Sequence, residues 1–247
     1  MKKFSIILIF LNFILLSFCW GQSVMPAQMK IRNSLEGMFD ADGLGRSDMF
    51  QGVDIEPGRV LGDYYLDSKW NVASVLLYGS GKVVDGYAVK YDVEGNAVEV
   101  KVGNQIKLIK VDRIESLIWY DSITKLPRAF VNAKNYTEEG VALSGLLEVL
   151  VDGNIPLIKK TTIWVKRPDY VLAFDVGNKD TQINKREVFY YAKGQELFEI
   201  KKKKQLIELF GDVGEEVNRF IKINQLNVKE QRGLEYAFSH YNTLTSK

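Results

Sequence analysis

Along residues 70–120, apolar and polar side chains alternate with a period of two. Tyr87, Val89, Tyr91 and Val93 fall on one side of the chain, and Ala88, Lys90 and Asp92 on the other. Beyond Glu94-Gly95-Asn96, Val98, Val100 and Val102 alternate with Glu99 and Lys101. β-Branched and aromatic residues at every second position predict strands with one face on a core and the other in water. In the next run the apolar character slips from Ile106 and Leu108 to Ile109 and Val111. That slip predicts a β-bulge or a strand buried on both faces.

Strands are also expected over 115–120 and 128–132. Two stronger runs, 145–151 and 155–166, flank Asp152-Gly153-Asn154 and predict a hairpin, with Pro156 at the start or edge of its strand. A last hairpin is expected from 187–192 and 196–201 around Lys193-Gly194-Gln195, preceded by a polar loop over 177–185.

From residue 203 the period changes. Residues 203–210 read as a helix ended by Gly211, and Asp212 can cap the next helix with Glu215 three residues on. Val213, Val217, Phe220 and Ile221 share one face of that helix. After a loop at 224–227, Leu234, Ala237, Phe238, Tyr241 and Leu244 share a face of a last one. Strands followed by helices, without βαβ alternation, define an α+β, mostly antiparallel β class. The expectation is a curved meander or half-barrel sheet with two or three C-terminal helices packed on it.

The N-terminus changes the picture of charge. Met1-Lys2-Lys3, an apolar run over 4–18 and Cys19-Trp20-Gly21 read as a secretory signal peptide cut after Gly21, with the run too short for a first choice as a membrane span. The alternative is a lipoprotein signal that leaves Cys19 acylated, although Phe18 stands where that processing favours a small residue. Loss of residues 1–21 removes Lys2 and Lys3 and no acid, so the formal charge of +2 falls to zero. Nothing then favours nucleic acid as a partner. The only cysteine leaves as well, so the remaining chain relies on its core rather than on disulfides. The resulting division is a signal peptide at 1–21, a glycine-interrupted arm at 22–60, an antiparallel β-rich domain at 61–202 and a helical segment at 203–247.

Candidate chemistry is sparse. His240 is the only histidine, and without cysteine a Cys/His or multi-histidine metal site has no ligands. As a triad base, His240 would sit on a terminal helix with no G-x-S-x-G elsewhere, so a structural or surface role is expected. Gly79-Ser80-Gly81-Lys82 ends like a phosphate loop, but Val83 replaces the Ser or Thr and a strand follows, which points to a hairpin turn. Asp40, Asp42 and Gly45 match three positions of a calcium loop, while Leu44 and Gln51 fail at liganding positions.

Glu138-Glu139 and Glu215-Glu216 are adjacent acids, and the second pair suits the first turn of a helix. Lys201 to Lys204 could meet an anionic surface, or be a solvated junction offset by Glu196, Glu199 and Glu208. Asn135-Tyr136-Thr137 fits a glycosylation sequon. Trp70, Trp119, Tyr120, Trp164, Tyr190 and Tyr191 all lie on expected strands, so adjacent pairs must face opposite sides. The second aromatic of each pair is then covered by the helices, lines a cavity or faces water.

The tail pattern of Leu206 to Phe210, Val217 to Lys222 and Tyr241 to Leu244 resembles a group of uncharacterised secreted β-rich proteins of Gram-negative bacteria with a short helical C-terminal tail. The resemblance implies the fold and export, and no activity, cofactor or site residue. The functional expectation is a non-enzymatic exported module, periplasmic or secreted, that binds a partner protein or supports an envelope assembly. An alternative is a carrier of a lipid or other apolar small molecule between sheet and helices. A third reading is a carboxylate-dependent hydrolase with two acids across an open cleft. No catalytic, cofactor-binding or metal residue is assigned.

Overall fold

Strand pairing follows the alternation. The computed structural model describes residues 58–246 apart from 80, 172 and 173. The signal segment with Cys19, all but the end of the arm, and Asp40, Asp42 and Gly45 lie outside the described residues. The early strands are β1 (Val60–Leu61), β2 (Asn71–Leu77), β3 (Val83–Asp92), β4 (Ala97–Val102), β5 (Gln105–Lys110), β6 (Ile114–Tyr120) and β7 (Pro127–Asn132). They are followed by β8 (Thr137–Glu138), β9 (Val141–Ala142), β10 (Leu146–Val151), β11 (Leu157–Lys166), β12 (Thr181–Lys193) and β13 (Glu196–Glu199). Their order in one sheet is β5-β4-β3-β2-β6-β7-β10-β11-β12-β13-β8-β9, with β1 added beside β12. The path ends at β5 and β9 and does not close. The pairs are antiparallel except β1 with β12 and β13 with β8, so the architecture is the expected open, mostly antiparallel sheet.

The inner face of the meander carries Ala73, Val75, Val89, Tyr91, Val98 and Val100, which pack with Leu117, Trp119 and Phe130 into one buried cluster. Trp119 and Phe130 meet at 4.7 Å in a tilted arrangement, a geometry that adds to the area they bury. Register shifts occur between Ala73 and Ser74 on β2 against β3, and between Leu76 and Leu77 against β6. Such bulges sharpen strand twist and help this half of the sheet curl around its own core.

The slip expected near Ile109 is not a bulge: β5 keeps an unbroken register with β4 from Ala97↔Lys110 to Val102↔Gln105. Ile109 faces inward in phase with Val98, and Ile106 and Leu108 face outward into water. The apolar character changes sides because β5 is an edge strand with apolar residues on both faces.

The hairpins at 152–154 and 193–195 form as expected, and β11 begins directly after Pro156. The stretch 177–185 is loop only as far as Asp180. β12 starts at Thr181 and pairs with β11 from Leu157↔Tyr191 to Lys166↔Gln182. Its early residues are polar because this end of the ladder reaches past the core, where backbone hydrogen bonds rather than burial hold the strand.

Three helices follow: α1 (Lys203–Leu209), α2 (Gly214–Ile223) and α3 (Gln231–Thr245). Gly211, at φ +54°, ends α1 in the left-handed conformation that a residue without Cβ adopts most cheaply. Asp212 does not cap α2. It lies in a 3-10 turn, Gly211–Val213, and Val213 at the N-cap already has helical dihedrals with no side-chain cap bond. An N-cap side chain folds back from an extended residue, and none precedes α2. Glu215 and Glu216 occupy its first turn.

The helices dock on the inner face of the later strands, not on the meander. Leu206, Phe210, Val217, Ile221, Leu234, Phe238 and Tyr241 bury against Leu157 and Tyr191. Phe210 stacks on Tyr241 at 4.6 Å and meets Phe238 edge-on at 5.1 Å. On the opposite face of those strands, Leu147, Ile158, Tyr190, Ala192 and Leu197 form a third cluster with Ala133.

Candidate functional site

Two features stand out from the packed clusters: a buried ladder of charges on the inner face and an uncovered apolar row on the outer one. The ladder lies between the meander core and the helix-covered core. Strand register sets Glu148 on β10 directly against Lys159 on β11. Arg128 on β7 reaches Glu148 with two bonds, Nε to Oε1 at 2.7 Å and Nη2 to Oε2 at 2.9 Å. Lys159 Nζ lies 2.9 Å from Glu148 Oε2 and 3.2 Å from Glu187 Oε1 on β12, and donates to Gln231 Oε1 at the start of α3 at 2.8 Å. Gln231 passes the chain on to Glu235 at 2.7 Å. The Arg128 guanidinium also lies over the rings of Trp119 and Phe130, each at 5.4 Å.

Glu148 and Lys159 are buried, so their charges persist only because they are paired and hydrogen-bonded. Burial pushes the Glu148 carboxyl up, but the Arg128 hydrogen bonds and the Lys159 charge outweigh it and hold the group below the usual carboxylate range. Burial depresses the Arg128 guanidinium, and the Glu148 carboxylate more than restores it. The ladder floors a cleft of about 550 Å³ whose walls include Leu66, Asp121, Leu126, Lys185 and Glu235. The Lys159 ammonium is held by one hydrogen bond to Gln231 and by ion pairs with two carboxylates, so the amine is not presented as a nucleophile. Glu148 and Glu187 meet the same ammonium, and Glu148 is tied to Arg128 as well, so these carboxylates are engaged with cations rather than facing each other across an open gap.

The outer face of the meander is different. Cross-strand partners form a row Ile106–Lys101–Ala88–Val72–Tyr120–Pro127 that runs across β5, β4, β3, β2, β6 and β7. Val72 is 53% exposed, Tyr120 51% and Ile106 58%. Ile118 and Leu108 add to the same face from neighbouring rows and are also exposed. At one end Lys90 lies between the Tyr65 and Trp70 rings, at 4.9 and 5.1 Å, and the Tyr65 hydroxyl donates to Glu99 at 2.9 Å. That bond to a carboxylate raises the Tyr65 pKa.

The aromatic pairs divide as their spacing requires. Trp119 is in the core and Tyr120 in water; Tyr190 and Tyr191 are both buried, on opposite faces of β12. Trp164 is exposed. His240 stacks on Phe220 at 4.0 Å, one helix against the next. The Leu77 amide bonds the Lys82 carbonyl at 3.0 Å where antiparallel β2 passes to β3, the pairing of a hairpin, with residue 80 of the Gly79–Lys82 stretch outside the described residues.

Glu138 and Glu139 border a groove of about 610 Å³ with Glu196, Glu199, Val141 and Phe198. Glu138 accepts from the Tyr190 hydroxyl, and burial together with that bond raises the tyrosine's pKa. Within the lysine run, Lys201 pairs with Glu199 at 3.1 Å and Lys204 with Glu208 at 3.5 Å. Asn135 accepts from the Tyr78 hydroxyl at 2.9 Å.

Sequence reasoning missed the charge ladder. Its signal was present: Glu148 and Lys159 interrupt the apolar runs Leu146-Leu147 and Leu157-Ile158 at positions whose strand neighbours are buried. Among the described residues no group of three or more His, Cys, Asp or Glu is placed to hold a metal. No helix among them is long and apolar enough to cross a membrane. In comparisons with known proteins, the chain matches no family model, no curated protein and no solved structure.

Proposed function

We propose that the chain is a non-enzymatic exported β-rich module that binds a partner protein of the cell envelope or surface through the outer face of its meander. The observation that carries this reading is the cross-strand row through Val72 and Tyr120, left uncovered while the helices occupy the other face of the other half of the sheet. Exposed apolar side chains clustered on neighbouring strands, here Val72, Ile118 and Tyr120, are a feature of interaction sites. The export signal and the resemblance to secreted β-rich proteins point the same way.

A lipid carrier would need an apolar space between sheet and helices; Leu157, Tyr191, Phe210, Phe238 and Tyr241 pack the centre of that interface, and the recess of about 680 Å³ between β10 and α3 is lined largely by the polar Gln231, Arg232, Glu235 and Ser239. A hydrolase would need independent carboxylates, and those of the charge ladder share one lysine.

The test is a photo-crosslinking residue at Val72, compared with one at exposed Ser239 on α3. A discrete protein adduct is expected from Val72 alone and should be lost in an Ile118→Asp/Tyr120→Glu variant. Substitutions at such exposed positions shift stability by no more than about 1 kcal/mol, which a denaturant titration checks. Identical adducts from both positions, or none from Val72, would overturn the reading.

A further inference from the structure

The sharpest run of positive charge in the sequence, Lys201 to Lys204, has acidic partners at both ends. The strip at the opposite end of the sheet does not: among the described residues Lys101, Lys107 and Lys110 make no ion pair, and all three are exposed. They lie on β4 and β5. Among the described residues β5 pairs with β4 alone, so its second edge presents free backbone donors and acceptors. Ile106 and Leu108, 58% and 68% exposed, point outward from the same strand.

We infer that the β5 edge receives an extended segment of the partner protein that carries two apolar residues two positions apart, an acid between them and a second acid two positions beyond. The inference rests on the partner-binding reading above and names the chemistry of that partner. An added strand places its side chains on the same faces as the β5 residues they oppose. Apolar residues opposite Ile106 and Leu108 continue the outer apolar surface, and carboxylates opposite Lys107 and Lys110 neutralise charges that are otherwise unpaired. A second copy of this chain is disfavoured as the occupant. In the antiparallel register that sets Ile106 against Leu108 of the copy, Lys107 opposes its own counterpart, and like charges directly opposite are destabilising. Edge lysines of this kind guard a strand against self-pairing and leave it open to a partner of opposite charge.

The probe is a synthetic peptide, Glu-Thr-Val-Glu-Val-Thr, which in antiparallel addition puts its acids opposite Lys110 and Lys107. The control has both glutamates replaced by lysine. With the purified protein, the acidic peptide is expected to slow amide exchange across residues 105–110 at least tenfold, and the control peptide is not. In a Lys107→Glu/Lys110→Glu variant the preference should reverse, a readout that survives any small loss of stability. Equal protection by both peptides, or none by either, overturns the inference.

Binding to phosphatidylglycerol vesicles that the variant loses, without protection of β5 amides, also overturns it, in favour of a membrane surface. If the Val72 adduct forms equally in the Lys107→Glu/Lys110→Glu variant, the edge inference fails while the proposed function stands. If the unaltered protein gives no Val72 adduct, the proposed function fails regardless of β5.

Discussion

Glu148 shows how one side chain can hold several elements together. Its two oxygens take both bonds from Arg128 on β7 and one from Lys159 on β11, and Lys159 continues to Glu187 on β12 and Gln231 on α3. Glu148→Gln removes the negative charge between the half-buried Arg128 and the buried Lys159, which keeps only the partly exposed Glu187 as a carboxylate partner. The expected cost is about 3–5 kcal/mol at neutral pH, read as a fall in the denaturant midpoint. A Glu148→Leu/Lys159→Met double variant should cost less than the single one, because only Arg128, whose side chain is 24% exposed, then loses its carboxylate. The pH dependence has a definite sign. The Glu148 pKa is lower folded than unfolded, so its contribution is complete above the unfolded carboxylate value, roughly 4.3. That contribution is lost as pH falls through the lower folded value. The stability gap between wild type and Glu148→Gln should therefore be constant from pH 7 to about 5 and narrow on further acidification. A gap that widened with acid would refute the assignment.

At the scale of elements, the period of the sequence carried most of the information. Alternation places Val89, Tyr91, Val98 and Val100 inside, and the 3.6-residue period puts Leu234, Ala237, Phe238 and Tyr241 on the buried face of α3. What it could not carry was pairing over distance. Nothing near Glu148 in sequence announces Lys159 or Arg128 as its partners; strand order and register bring them together. Nor does amphipathicity say which part of a sheet a helix will choose, and the helices chose β10, β11 and β12. Local end signals were uneven: Gly211 stops α1, but Asp212 is spent on a 3-10 turn.

α3 offers the complementary case. Its N-cap, Glu230, is extended at φ −108° and ψ 149° and makes no side-chain cap bond. Glu230→Ser places a short acceptor there but gives up the Asn227 bond to the Glu230 carboxylate, and the net gain is expected to be about 0.5 kcal/mol, measurable as a higher urea midpoint with an unchanged slope. Phe238→Ala, which empties a fully buried site between α3 and Phe210, should cost about 3–5 kcal/mol.

At the scale of the whole molecule, the inner face of the open sheet holds two apolar clusters with the charge ladder between them, and a strap over residues 59–66 links β12 to β3. The strap leaves β12 through β1, where the Arg59 carbonyl accepts from Thr181 at 2.9 Å and the Arg59 guanidinium pairs with Asp180. It passes Asp63, which meets Lys185 at 3.2 Å, and reaches β3, where Leu66 donates to the Tyr91 carbonyl at 2.8 Å. Those ion pairs are exposed and contribute little; backbone geometry holds the strap more firmly.

Gly62 is the critical point, with φ +94° and a would-be Cβ only 2.3 Å from the Ile183 carbonyl oxygen. A side chain there meets both backbone strain and a peptide group that cannot rotate away. Gly62→Ala is expected to cost about 1–3 kcal/mol and to act locally. The Thr181 amide, whose acceptor belongs to the strap, should exchange tenfold or more faster with solvent, while amides along α3 keep their protection relative to global unfolding. The helix-covered core contains none of the strap's contacts, so equal acceleration in α3 would show that the strap supports the whole sheet rather than the mouth of the cleft beneath it.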